Sequence, residues 1–363
     1  MCPSYMATKN ERDTTRARAN ILRETLTRSD KMNRFDSEEV KEVLDLCLAC
    51  KACKAECPSN VDMAKLKMEF LHQYYKDNGV PLRSWLIGNY PRLNKLAALV
   101  PGAYNFIFKN AGLRKIANRL VGFHPERTMP LLADTTLLAW FRKEYGRVAG
   151  DGKQEVYLFL DEFTNYNDVE IGKKAVQLLV RLGFSVIVED HVGSGRSYLS
   201  KGLLDKAREL ANANVQLFRD KIGALHATPL VGIEPSAVLT FRDEYPELVS
   251  EHLVESAAEL AKHVFTFEEF IGGLVDRKEL DASLFTEEKR LIKLHGHCQQ
   301  KAVSSLVPSK KMLGLPKNYE VQLIPSGCCG MAGSFGYEKE HYDISMKIGE
   351  LVLFPSVRQQ PEE

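Results

Sequence analysis

The 363-residue sequence contains no uninterrupted apolar run of the roughly 18 residues that a membrane-spanning helix needs, and no secretory signal is read in it. Net charge is almost absent at +1, which removes any global electrostatic case for nucleic acid as a partner. Cysteine is scarce too: eight residues, gathered in tight groups rather than spread along the chain. In a chain of this size such grouping favours metal ligation in a reducing, cytoplasmic compartment over a disulfide framework. Acidic residues are missing from Gly79 to Pro125, while Arg83, Arg92, Lys95, Lys109, Arg114, Lys115 and Arg119 all fall there. What remains, 44% hydrophobic and 27% charged, is ordinary for globular protein and sufficient for two or three cores.

The most informative group is Cys47, Cys50, Cys53 and Cys57 in CLACKACKAECPSN. Its C-x2-C-x2-C-x3-C-P spacing is that of bacterial ferredoxin loops, in which three thiolates serve one iron–sulfur cluster and the fourth serves its neighbour. A two-cluster unit needs a second C-P, and Cys2-Pro3 supplies it. The spacing predicts one 4Fe-4S cluster on Cys2, Cys47, Cys50 and Cys53. Cys57 is left for a second cluster whose other ligands would precede Met1. Structural zinc fits less well, because its ligands usually split into two pairs.

Periodicity predicts a helix capped by Asp13 through Arg18, Leu22 and Leu26, and a second from Ser37 that delivers Cys47. A third, from Val61 to Tyr75, would align Met63, Leu66, Phe70 and Tyr74. The acid-free segment reads as helical. Its basic, aromatic character suits an anionic membrane surface, although apolar helix faces more often become core, and a connector packed on its neighbours is the expectation. From Lys153 strands and helices alternate. Strands are expected at Glu155–Leu160, Phe184–Glu189 and Pro229–Ile233, then at Arg290–His295 and Val321–Ile324. The helices between them are expected at Asp168–Leu182, Lys201–Asp220, from about Pro235 to Ala261, near Ala302–Leu313 and at Lys339–Leu353. That rhythm argues for parallel βαβ units. The expected fold class is therefore α/β plus α, divided at 1–80, 81–150, 151–285 and 286–363.

A second constellation ends the last two strands: His295, His297 and Cys298 in LHGHCQQK, and Cys328 and Cys329 in PSGCCGMAGSFG. Ligands collect outside the carboxyl ends of parallel strands, which places these cysteines in one crevice. The surrounding glycines permit unusual dihedrals and offer N–H groups to sulfur. Three uses stay open: an iron–sulfur cluster, a zinc site completed by His297, and a vicinal redox disulfide.

Together, MCPSYMATKNERDTTRARANILRE, LDLCLACKACKAECPSNVDMAKLK and SGCCGMAGSFGYEKEHYDISMKIGELVLFP resemble the iron–sulfur portion of FAD-linked D-2-hydroxy-acid oxidases and dehydrogenases. The resemblance covers essentially the whole chain. It implies a helical ferredoxin-type domain followed by two CCG cysteine-rich repeats, shared with heterodisulfide reductases and anaerobic glycerol-3-phosphate dehydrogenase subunits. It also implies an FAD-carrying domain or subunit as electron donor and an acceptor such as quinone, with a peripheral place on the inner face of the membrane.

The departures matter as much. No flavin domain is read in the chain, so it is not expected to oxidise a hydroxy acid by itself. The first α/β block has Ser194 in EDHVGSGRSYLSKG and Ala237 in GIEPSA where the resemblance expects cysteines, which predicts a clusterless repeat. The second block reaches Glu363 without a further cysteine. Lys51 and Lys54 either offset cluster charge or are simply solvated, and Arg196, Glu234 and Arg242 either line the first crevice or form salt bridges. The rival functions are a docking subunit for a separate flavoprotein and thiol–disulfide chemistry at Cys328–Cys329.

Overall fold

The computed structural model describes residues 1–152, 154–222 and 228–360; Lys153 and Glu363 lie outside the described residues. The N-terminal region is helical, as expected. Its first long helix, Thr15–Arg28, starts one residue later than the sequence suggests, because Thr14 rather than Asp13 is the cap: its Oγ1 accepts the Ala17 N–H at 3.1 Å. Asp13 turns inward instead and accepts the Thr8 hydroxyl at 2.6 Å. Ser37 caps Glu38–Asp45 as expected. Met63–Asn78 is capped by Asp62, which takes the N–H groups of Ala64 and Lys65. Leu22, Val40, Leu44, Met63, Phe70 and Tyr74 close a core around Cys47. Leu66 does not join it and is exposed, being out of phase with the buried stripe.

The connector contradicts its expectation. Helices Leu82–Gly88, Tyr90–Ala97, Pro101–Lys109 and Ala111–Leu120 leave most of their large apolar side chains in solvent, and two of them bury an asparagine instead.

The α/β part holds a five-stranded sheet: β1 (Val148–Ala149), β2 (Gln154–Phe159), β3 (Phe184–Ile187), β4 (Leu230–Gly232) and β5 (Val264–Thr266). The order is β1-β3-β2-β4-β5, parallel except for β1. Alternation along β2 builds two cores. Val156 and Leu158 meet the helix Val169–Arg181, while Phe159 meets the helix Leu204–Ile222 on the other face. Strands β1 and β5 were not anticipated.

A separate two-stranded parallel sheet pairs β6 (Arg290–Leu294) with β7 (Tyr319–Leu323), from Arg290 opposite Tyr319 to Leu294 opposite Leu323. The helix expected near Ala302–Leu313 is two pieces, Cys298–Val303 and Val307–Leu313. Pro308, which has no N–H to donate, sits in the first turn of the second piece. The closing helix begins at Tyr342, not Lys339.

Candidate metal centres

Between the second and third N-terminal helices, the chain turns through Ala49 and Lys51 in the left-handed region, at φ 50° and 59°. Non-glycine residues rarely adopt it, and such strain gathers where geometry serves function. The turn brings Cys47, Cys50 and Cys53 round a cavity of about 240 Å³ that Cys2 and Arg18 also line. Cys57, at the end of the short helix Ala52–Glu56, stands on the rim of the same cavity. Backbone N–H groups of Val61 and Ser59 pull its thiol below the ordinary value.

Arg18 is the residue that sequence reading missed. Only 1% exposed, its guanidinium donates to Cys2 Sγ at 3.1 Å, Ser4 Oγ at 2.9 Å and the Val43 carbonyl at 3.2 Å. Burial works to raise the Cys2 thiol, but the Arg18 charge and hydrogen bonds outweigh it and hold the thiol below its usual value. Cys50 goes the other way, pushed up to about 12 by burial and then by the neighbouring sulfurs of Cys298, Cys47 and Cys2. Four soft sulfur donors line one cavity, three of them from a single turn. This donor set fits an iron–sulfur cluster.

Lys51 and Lys54 are neither solvated nor free to offset cluster charge. The Lys51 side chain is fully buried, with Nζ 2.9 Å from Asp62, 3.0 Å from Glu244 and hydrogen-bonded to Asp243. Burial lowers its pKa, yet the carboxylates of Glu244, Asp243 and Asp62 outweigh that and raise it. Lys54 and Lys65 also meet Asp243. The lysines that flank the cysteine loop therefore rivet it to the five-stranded domain.

The second constellation assembles where the strand ends predict. Cys328 hydrogen-bonds to both Cys298 and Cys329. Its two neighbours share its proton donation, which lowers the thiols of Cys298 and Cys329 below the ordinary value, while Cys328 itself is driven up. His295 also hydrogen-bonds to Cys329 and is fixed by Ser326 Oγ, 2.6 Å from its Nδ1. His297 takes a different place: its Nδ1 accepts the Gln299 N–H at 3.2 Å as a helix cap, and its Nε2 lies 3.5 Å from Glu234. The N–H groups of Gly330 and Met331 approach the sulfurs of Cys328 and Cys329 at 3.4 and 3.5 Å. Gly330, at φ +88°, admits no side chain, since a Cβ would sit 2.2 Å from the Ser345 carbonyl. In the metal-free chain we expect iodoacetamide to modify Cys329 at a lower pH than Cys328. His295→Ala should move the onset for Cys329 upward, read by peptide mass spectrometry across a pH series.

The two centres share a wall. Leu48, Cys328, Phe335 and Ile348 form one apolar cluster, against which Cys50 and Cys298 both pack. Gln299 Nε2 donates to the Ala49 carbonyl at 3.2 Å, tying the second site to the first loop. The crevice of the five-stranded sheet is closed by contrast. Glu162 accepts both the Ser194 hydroxyl (2.7 Å) and its N–H (3.0 Å), Ala237 is buried, Glu234 takes the Ala237 N–H, and Arg196 and Arg242 pair with Glu244 and Glu269.

Residues 1–62 match the family described as a 4Fe-4S dicluster domain. That match bears out the iron–sulfur character of this region and supports an electron-transfer role. The resemblance drawn from the rest of the chain holds as well. Over 99% of its length the iron–sulfur chain is 25% identical to a D-2-hydroxyglutarate dehydrogenase of Escherichia coli (strain K12), and it spans 38% of that protein. A D-2-hydroxyglutarate dehydrogenase of Pseudomonas putida is 23% identical over 96% of the chain, which spans 37% of that relative. One subunit of the anaerobic glycerol-3-phosphate dehydrogenase of Escherichia coli (strain K12) is 26% identical over 65% of the chain, a match that spans 58% of that relative. The chain thus corresponds to well under half the length of the D-2-hydroxyglutarate dehydrogenases it matches. No solved structure matches it significantly. Among the described residues no helix is long and apolar enough to cross a membrane.

Proposed function

We propose that this chain is the electron-carrying part of a D-2-hydroxy-acid dehydrogenase, taking electrons from FAD on another domain or subunit and delivering them to an acceptor such as quinone. It works on the cytoplasmic side, peripheral to the inner face of the membrane. The observation that carries this reading is the sharing of one wall by Cys50 and Cys298, which puts two soft-ligand sites in direct succession. Cys2, Cys47, Cys50 and Cys53 hold a 4Fe-4S cluster, and Cys57 serves a second. Cys298, Cys328 and Cys329 hold a further iron–sulfur group or zinc, with His295 as the histidine in reach and His297 one helix cap away. Bound there, iron–sulfur clusters supply one-electron steps that a two-electron flavin donor requires.

The chain's own residues prepare this chemistry. Arg18 donates to the Cys2 sulfur and holds its thiol pKa below the ordinary value. The Lys51 rivet keeps the turn at its strained dihedrals. Leu48 and Phe335 exclude water from the shared wall. The organisation follows as a helical ferredoxin-type domain (1–80), a connector (81–150), a clusterless CCG-type repeat (151–285) and a cysteine-bearing one (286–363). Anaerobic reconstitution with iron and sulfide, followed by iron counting and EPR, tests it. We expect about four irons per complete site and a reduced-cluster signal. Zinc alone at both sites, or no EPR signal after reduction, would refute an electron carrier and favour thiol–disulfide chemistry at Cys328–Cys329.

A further inference from the structure

The connector helices are built inside out. On Ala111–Leu120 the buried residue is Asn118, whose Nδ2 donates to the carbonyls of His124 and Arg127 at 3.1 and 2.9 Å. Leu113, Ile116 and Leu120 recur at three- and four-residue spacing on roughly the opposite side of the helix. Tyr90–Ala97 repeats the pattern, with Asn94 buried. On Pro101–Lys109, Tyr104 and Asn105 bond inward to Pro130 and Leu132. Outward stand Leu96, Leu99, Phe106 and Leu120, between 65% and 80% exposed. A helix ordinarily turns its apolar stripe to the core. Here polar bonds anchor each helix and the apolar stripe is offered to the surroundings.

From this we infer that the face of residues 90–120 docks on an anionic lipid bilayer. Charge complementarity selects this occupant. The segment has no carboxylate, and Arg92, Lys95, Lys109 and Arg119 are exposed, with no ion pair among the described residues. Lys115 alone of this surface meets an acid, Glu126 at 2.7 Å. A second copy would press one cationic face against another. Helices of eight to ten residues are too short to span and suit the interfacial plane, apolar side chains down and basic ones among headgroups. The inference names the surface behind the membrane-side placement proposed above and rests on that placement alone. Vesicle binding and iron content are separate measurements, and either can fail without the other.

The test is flotation of the full chain with vesicles of phosphatidylglycerol and phosphatidylcholine, against vesicles of phosphatidylcholine alone. Binding to the anionic vesicles, weakened by salt and slight on the neutral ones, is expected. Lys95→Gln with Arg119→Gln should weaken it by about 25-fold, at about fivefold per charge. Leu99→Glu with Phe106→Glu should abolish it while circular dichroism stays unchanged, since both side chains are exposed. Absence of flotation with anionic vesicles at low salt overturns the proposal. So does equal binding to neutral vesicles, or a concentration-dependent dimer that the Leu99→Glu, Phe106→Glu variant dissolves in a chain that binds no vesicles.

Discussion

Cys2→Ala is expected to return a reconstituted chain without a 4Fe-4S signal at the first site, short of about four irons. The other three ligands come from one turn and cannot close a four-iron site, and Cys2, whose sulfur accepts a hydrogen bond from Arg18, lines the same cavity. Cys57→Ala should leave that signal intact, because Cys57 stands at the rim. An unchanged iron count in Cys2→Ala would mean that another group completes the site. Arg18→Gln separates ligation from tuning. Iron should stay, but loss of a positive charge within hydrogen-bond range of a ligand should lower the midpoint potential by roughly 50–100 mV, about 1–2 kcal/mol for one electron. Redox titration followed by EPR reads that shift.

Asp243→Asn should lower the thermal midpoint by roughly 4 °C. The carboxylate is the common partner of Lys51, Lys54 and Lys65, and Lys51 has no exposure through which water could replace it. Removing one partner of a buried ion pair costs about 3 kcal/mol, which for a chain of this length unfolding as one unit converts to a midpoint change of about 4 °C. The pH dependence has a definite sign. Burial works against the Asp243 charge, but Lys51, Lys54 and Lys65 outweigh it and hold the native pKa below the usual 3.8. Its contribution is complete above that value and is lost as pH falls toward the native one. The wild-type chain should therefore lose stability below about pH 4, and Asp243→Asn should flatten that limb. Thermal scans from pH 6 to pH 2 measure both. An unchanged midpoint would show that Asp62 and Glu244 suffice for Lys51.

Strong local signals were legible in the sequence and cooperative ones were not. The cysteine spacing placed Cys47, Cys50 and Cys53 round one cavity because loop geometry follows from spacing over a few residues. The apolar run at Glu155–Leu160 announced β2, whereas Val148–Ala149 and Val264–Thr266 are too short to carry a pattern and exist because longer strands template them. Thr14 and Asp13 are both good caps, and only Thr8, reaching across the turn, decides between them. Arg18 hid on an apolar stripe, where a charge reads as an interruption rather than as the partner of a cysteine 16 residues away. The connector misled for a related reason: its periodicity is real, but periodicity does not say which side of a helix meets the protein.

The Lys51 rivet also constrains how such a chain can be shuffled in evolution. The matched iron–sulfur domain ends at residue 62, yet a lysine inside it depends on Asp243 and Glu244, far along the chain. A recombination that exchanged the first segment alone would import a buried cation into whatever lay beneath it. The cysteine loop and the five-stranded sheet domain are thus coupled through one buried cation, and neither can be exchanged alone without leaving a charge unpaired.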